Sequence, residues 1–166
     1  MSAKGKIVPI PSSFHAALSS AERKYPSIEL SDGHWLIAGT HELLYLATDA
    51  IIDRCAWHEI QSAQWTASSR SLSILWTDPQ REPFHAITRN DNVTEFMTMM
   101  RERIEYTIIM MRHVISENGT RIVAQIRRAP TGELFSVLSA FGTLNDEGQK
   151  LARRLEYEVR ESVGLE

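Results

Sequence analysis

Between Ser27 and Arg89, apolar and polar residues alternate in short runs closed by turn residues, at the spacing of an antiparallel meander. Ile28 and Leu30 alternate with polar neighbours, and Asp32-Gly33 is a hairpin-turn signal. Trp35–Gly39, Leu43–Ala47, Ile51–Trp57 and Ile60–Ala67 read as the next strands, with connections at Thr40-His41-Glu42 and Asp49-Ala50. Ser68-Ser69-Arg70 turns into Leu72, Ile74 and Trp76, which share one face, and Phe84, Ala86 and Thr88 make a seventh strand. The runs 35–39 and 43–47 are apolar on both faces. One face can line a core, and the other needs a cover from an N-terminal helix, the C-terminal region or a second subunit.

A helical period takes over at Asn92. Val93, Phe96, Met97, Met100 and Ile104 recur at offsets of 0, 3, 4, 7 and 11, and Asn92 with Glu95 makes a capping-box-like pair. At ~1.5 Å per residue, a helix over 92–105 is about 21 Å long, enough to close one end of a small barrel. Ahead of the strands, residues 1–12 read as a mobile arm. Ser12 or Ser13 then caps a short helix through Tyr25, with Phe14, Ala17, Leu18 and Ala21 as a thin stripe and Pro26 as its stop. Behind the long helix, Tyr106–Ile115 is β-rich, and Asn118-Gly119 marks a hairpin. Pairing about that dipeptide sets Ile115, His113, Met111 and Ile109 opposite Ile122, Ala124, Ile126 and Arg128. Pro130-Thr131-Gly132 turns into Leu134–Ala140, and a last helix spans Asn145 to Val163 on Leu151, Leu155 and Val159.

The pattern therefore divides into 1–26, an arm with a short helix; 27–105, a barrel plus capping helix; and 106–166, a hairpin, strand and helix extension. A chain of 166 residues buries enough surface to fold without disulfides or metal. The single cysteine, Cys55, excludes an intrachain disulfide and fits a reducing compartment. Lys4 and Lys6 are followed by prolines rather than by the apolar run of a signal peptide, and apolar stretches such as Ile108–Met111 are far too short to span a bilayer. The expectation is a soluble, cytoplasmic protein. Residues 34–105 carry six basic and ten acidic side chains, which disfavours a nucleic-acid partner.

Several local sequences carry a likeness. His34 to Leu46, an apolar strand ending in Thr40 and followed by a Leu-rich run, resembles the opening strand pair of bacterial pleckstrin-homology-like domains. Cys55-Ala56-Trp57-His58-Glu59-Ile60 is similar to their Trp-x-x-Ile corner, and the tail resembles uncharacterised actinobacterial proteins with this core. The resemblance implies an α+β fold: a pleckstrin-homology-like, seven-stranded antiparallel barrel capped by a helix, here with a C-terminal β-hairpin/strand/helix extension. It implies a binding module, not an enzyme, and no cofactor.

Phosphoinositides are the ligands best known for that family, read by basic side chains in and beside the first loop. Here Asp32-Gly33-His34 and Thr40-His41-Glu42 hold no Lys or Arg, which disfavours them. His34 and His41 fall at opposite ends of a strand, roughly 20 Å apart at ~3.3 Å per residue, and cannot share an ion. His113 reads as a core histidine, and His58 and His85 as exposed barrel positions. Cys55 and His58 point to opposite faces if their strand stays regular past Trp57, which excludes a dyad. Asp49 and Asp53 read as solvated edge charges. The one basic concentration in the tail is Arg112, Arg121, Arg127 and Arg128, with Arg127 opposite Met110 and Arg112 opposite Gln125. These four are the candidate partner-binding residues, against the simpler reading that their stems pack on the sheet near Glu156, Glu158 and Glu161. Met97, Met99, Met100, Met110 and Met111 are either core filler or an adaptable surface. The function expected is a non-enzymatic interaction module acting through protein–protein contacts, with a partner protein or with itself as a homodimer. The alternative is a small-molecule or lipid-binding protein with a pocket between barrel and tail.

Overall fold

The computed structural model describes residues 9–48 and 50–166, which leaves Asp49 and most of the expected arm outside the described residues. The chain forms two compact units, Met1–Glu105 and Tyr106–Glu166.

In the first unit, β1 (Ser27–Glu29), β2 (Trp35–Ala38), β3 (Glu42–Ala47) and β4 (Ala50–Ala56) form one antiparallel sheet in sequential order. A second sheet holds β5 (Ile60–Thr66), β6 (Ser71–Trp76) and β7 (Phe84–Ile87). The expected seven-stranded closed barrel is thus corrected to two sheets, of four and three strands. Among the described residues, they join at one side only, where Leu30 bridges Thr88 and the Ser31 and Arg89 N–H groups donate to the Ile87 and Glu29 carbonyls at 2.8 and 3.0 Å. At the other side, the strand expected to run through Trp57 stops at Ala56. Trp57–Glu59 is a 3₁₀ turn, held by the Ala56 N–H on the Glu59 carboxylate at 2.7 Å and by the Trp57 indole N–H on the Gly39 carbonyl at 3.0 Å. That corner turns the chain from one sheet to the other, and among the described residues no ladder links β4 to β5.

Between the two sheets lies one core. Leu36, Ala38, Leu43 and Cys55 contribute from the first sheet, and Ile60, Leu72, Ile74 and Trp76 from the second. Helix α1 (Thr94–Tyr106) adds Phe96, Met100 and Ile104, with Val93 just before it. The 3.6-residue period puts these residues on one stripe, and each is 7% exposed or less. Met97 and Met99 pack at its margin.

All four residues of β2 are buried. Trp35 and Ile37, with Leu44 and Leu46 of β3, point away from that core into a second cluster, which Ile10, Phe14 and Leu18 cover. The segment that supplies the cover is not the continuous helix expected. It is two 3₁₀ turns, Ser12–Ala17 and Glu22–Lys24. Ser19 lies between them: its N–H donates to the Glu22 carboxylate at 2.8 Å, and its hydroxyl accepts the Glu22 N–H at 3.1 Å. A serine that bonds the backbone in this way competes with a helical ladder.

The second unit is a three-stranded antiparallel sheet, β10-β9-β8, with one helix on it. Its strands are β8 (Ile108–Ile115), β9 (Arg121–Arg128) and β10 (Leu134–Phe141). Helix α2 (Asp146–Ser162) begins with the Asn145 side chain accepting the Gly148 N–H at 2.8 Å. Ala152, Leu155 and Val159 pack on Ile122, Ala124 and Ile126, so the even-numbered face of β9 is the covered one.

The hairpin register differs by one residue from the expectation. Ile115 pairs with Arg121, Val114 with Ile122 and Arg112 with Ala124. Ser116 pairs with Thr120, leaving a three-residue loop, Glu117-Asn118-Gly119, with Gly119 at φ +85°. Relative to a two-residue Asn-Gly turn, this slip carries the β8 side chains from Met110 to Ile115 to the other face. His113, expected in the core, is exposed, whereas Met110 and Val114 pack under α2.

Candidate functional site

The first unit holds a small cleft between its sheets. Leu36, Leu43, Ile74 and Phe84 form its apolar wall, and Tyr45, Asp53, Cys55, Trp76 and Arg81 complete it. Asp53 accepts from the Arg81 guanidinium at 2.6 Å, and that guanidinium lies 3.6 Å from the centre of the Trp76 ring. Cys55 Sγ lies 3.4 Å from both Asp53 and Arg81. Asp53, still 44% exposed on the edge strand β4, is therefore an ion-pair partner as well as the edge charge expected. The pair stays partly exposed, with Arg81 at 34% and Asp53 at 44%, so it contributes under about 1 kcal/mol. Burial pushes the Cys55 thiol up to about 11, which keeps it neutral and a poor nucleophile near pH 7. With Trp57–Glu59 a 3₁₀ turn, strand alternation no longer separates Cys55 from His58; instead Asp53 and Arg81 hold the thiol.

Beside the cleft, the Tyr45 hydroxyl meets His34 Nδ1 at 2.8 Å, with an Asp32 carboxylate oxygen 3.3 Å from the same nitrogen. Burial, with Asp32 adding to it, raises the Tyr45 phenol above its ordinary value. Among the described residues, no group of three or more His, Cys, Asp or Glu side chains is placed to hold a metal. The cleft has a volume of about 40 Å³, the scale of one or two water molecules. Ligand pockets measure roughly 300–1,000 Å³, so the cleft is small beside them.

The four arginines in the tail do not converge. Arg121 and Arg127 lie on the odd-numbered face of β9, roughly 20 Å apart at ~3.3 Å per residue. Arg112 and Arg128 alternate onto the face that carries α2, and both are exposed. Arg112 is opposite Ala124 and Arg127 opposite Ile108, not the partners expected. Arg127 is fully buried, bonds the Gln125 side chain at 3.0 Å, and is pushed down by that burial to about 10. Arg121 alone of the four is both exposed and placed in an apolar setting.

That setting is one rung across the sheet. Ile115 of β8, Arg121 of β9 and Phe141 of β10 are register partners on the odd-numbered face. Ile115 is 66% exposed and Phe141 60%, and the Arg121 guanidinium sits 5.6 Å from the Phe141 ring centre. Met111, 54% exposed, lies on the same face of β8 four residues before Ile115, with exposed His113 between them. A two-residue Asn-Gly turn would set Ile115 opposite Ile122; the three-residue loop instead sets it beside an arginine and a phenylalanine.

No family model matches the chain, and no curated protein matches it. Among solved structures, it is similar to the crystal structure of the FERM and C-terminal domain complex of Drosophila Merlin, at 12% identity and a TM-score of 0.40. That likeness covers 48% of this chain and 28% of that chain, so this chain spans little more than a quarter of the chain it resembles. Among the described residues, no helix is long and apolar enough to cross a membrane.

Proposed function

We propose that the chain is a non-enzymatic interaction module, with a pleckstrin-homology-like first unit, that works through protein–protein contacts. The observation that carries this reading is the Ile115–Arg121–Phe141 rung. An aromatic, an arginine and an isoleucine exposed together match the composition of interface centres, which favour aromatic residues and Arg over Lys and Glu. The guanidinium over the ring gives the patch one cation within an apolar surround. The partner it fits is a protein surface that offers a carboxylate beside an apolar pocket.

A photo-reactive residue at Ile115, introduced in the native host, tests the reading. The expected result is a discrete cross-linked protein that Arg121→Glu or Phe141→Ser removes, while the same probe at exposed Gln80 captures nothing comparable. If Ile115 captures only what Gln80 captures, the interaction reading fails.

A further inference from the structure

The two edges of the second unit's sheet differ in a way that names an occupant for one of them. β8 carries Arg112 and His113 in its middle, and a charge there discourages pairing with a second strand. β10 reads Leu-Phe-Ser-Val-Leu-Ser-Ala-Phe: eight residues with no charge, no proline and no glycine. It is the terminal strand of the sheet, and among the described residues no strand lies beyond it.

Its free side can be assigned. The Ala129 N–H donates to the Glu133 carbonyl at 2.8 Å, so the odd-numbered residues of β10 direct their backbone groups at β9. The N–H and C=O groups of Leu134, Ser136, Leu138 and Ala140 therefore face away from β9. At this edge, Leu138 is 37% exposed, and Ala140 is exposed with it.

We propose that two copies of the chain pair through β10, antiparallel about Leu138, so that two three-stranded sheets become one of six. A two-fold axis normal to the sheet keeps each face on its own side, so opposed residues must share parity. Centred on Leu138, the register sets Leu138 against itself, Ser136 against Ala140, Val137 against Ser139 and Phe135 against Phe141. Leu138 and the two Ser136–Ala140 pairs are then the hydrogen-bonded positions, since their backbone groups face outward. The exposed apolar residues Leu138 and Phe141 each gain an apolar neighbour on their own face, and no like charges meet across the seam. The edge shares Phe141 with the Ile115–Arg121–Phe141 rung but neither Ile115 nor Arg121, and the inference goes beyond the reading above by naming both surface and occupant.

Sedimentation over roughly a hundred-fold range in concentration reads the association. The expected result is a reversible dimer that Leu138→Lys, which places two ammonium groups face to face, weakens by about ten-fold or more. Leu138→Cys gives an independent readout. Directly opposed, hydrogen-bonded residues have Cα atoms about 5.5 Å apart, within disulfide range, so mild oxidation links the two copies. Ala140→Cys stays unlinked, because that register puts the two 140 positions roughly 13 Å apart along the strands. Circular dichroism confirms that each variant is folded. Cys55 is buried and does not compete. A strict monomer across the range, a dimer indifferent to Leu138→Lys, or linkage at 140 as ready as at 138 overturns the proposal. In each of those cases a partner cross-linked at Ile115 would still support the interaction reading, so the two fail separately.

Discussion

Phe96→Ala measures how much of the first unit rests on the stripe of α1. Phe96 is 1% exposed and lies among Val93, Met100 and Ile104 in the core shared by both sheets. Transfer of its ring to water accounts for about 1.5–3 kcal/mol. Residues from three directions surround the ring and cannot all relax, so a cavity term adds to this and the expected cost is about 3–5 kcal/mol. Met97, next along the helix but only partly buried, is the control, at under about 1 kcal/mol for Met97→Ala. All four tryptophans (Trp35, Trp57, Trp65 and Trp76) lie in the first unit, so their fluorescence follows that unit even if the other unfolds separately. With a urea slope of about 2 kcal/mol per molar, Phe96→Ala moves the midpoint down by roughly 2 M. A loss below about 1.5 kcal/mol, or one no larger than that of Met97→Ala, would refute the stripe as the element that closes the core.

Three further outcomes follow from the same unit. A Cβ at Gly39 falls 2.8 Å from the Glu42 carbonyl oxygen, a backbone atom that cannot swing aside, so Gly39→Ala costs about 1–3 kcal/mol in the same fluorescence titration and disturbs the Trp57 bond to the Gly39 carbonyl. The Cys55 thiol is raised from 9.0 to about 11, so the folded state disfavours its thiolate. Its contribution is whole below pH 9 and lost as pH climbs towards 11, and iodoacetamide at pH 8 labels the native protein far more slowly than the urea-unfolded one. Asp53→Asn lowers stability by under about 1 kcal/mol, because its ion pair with Arg81 is partly exposed; a larger loss in the same titration would mean that the cleft is drier than its exposure implies.

What was legible in the chain was periodicity. Alternation placed the strand runs from Ile28 to Thr88, and the 3.6-residue stripe placed Phe96, Met100 and Ile104 together, because both signals depend only on neighbours along one element. What failed depended on a single residue acting across elements. Asn118-Gly119 is the usual sign of a two-residue turn, yet Ser116 accepts the Thr120 N–H at 3.1 Å and lengthens the loop by one. That moved His113 to solvent and assembled the Ile115–Arg121–Phe141 rung, which a basic cluster read from composition could only half anticipate. Likewise, Ser19 splits the N-terminal helix by a local hydrogen bond that no apolar count detects, and the Trp57 corner opens a ladder that a barrel would have closed.

The doubly apolar strands β2 and β3 were the sequence's own reason for expecting a second subunit, and the structure removes that reason. Phe14 packs on Trp35 with ring centres 6.2 Å apart, and Ile10 and Leu18 finish the cover, so the outer face of the first sheet is satisfied within the chain. Any case for self-association must therefore come from a surface that stays open after the intrachain partners are counted. In the second unit, α2 covers one face of the sheet but neither of its edges, and of those edges only β10 lacks a charge to guard it. A strand of eight uncharged residues is a hazard for indiscriminate pairing unless something defined occupies it. A second β10 is the simplest occupant that matches its length and parity and introduces no charge. If Leu138→Lys instead leaves a monomer unchanged and more soluble, the edge is a liability held in check by concentration alone, and partner recognition rests on the Arg121 face.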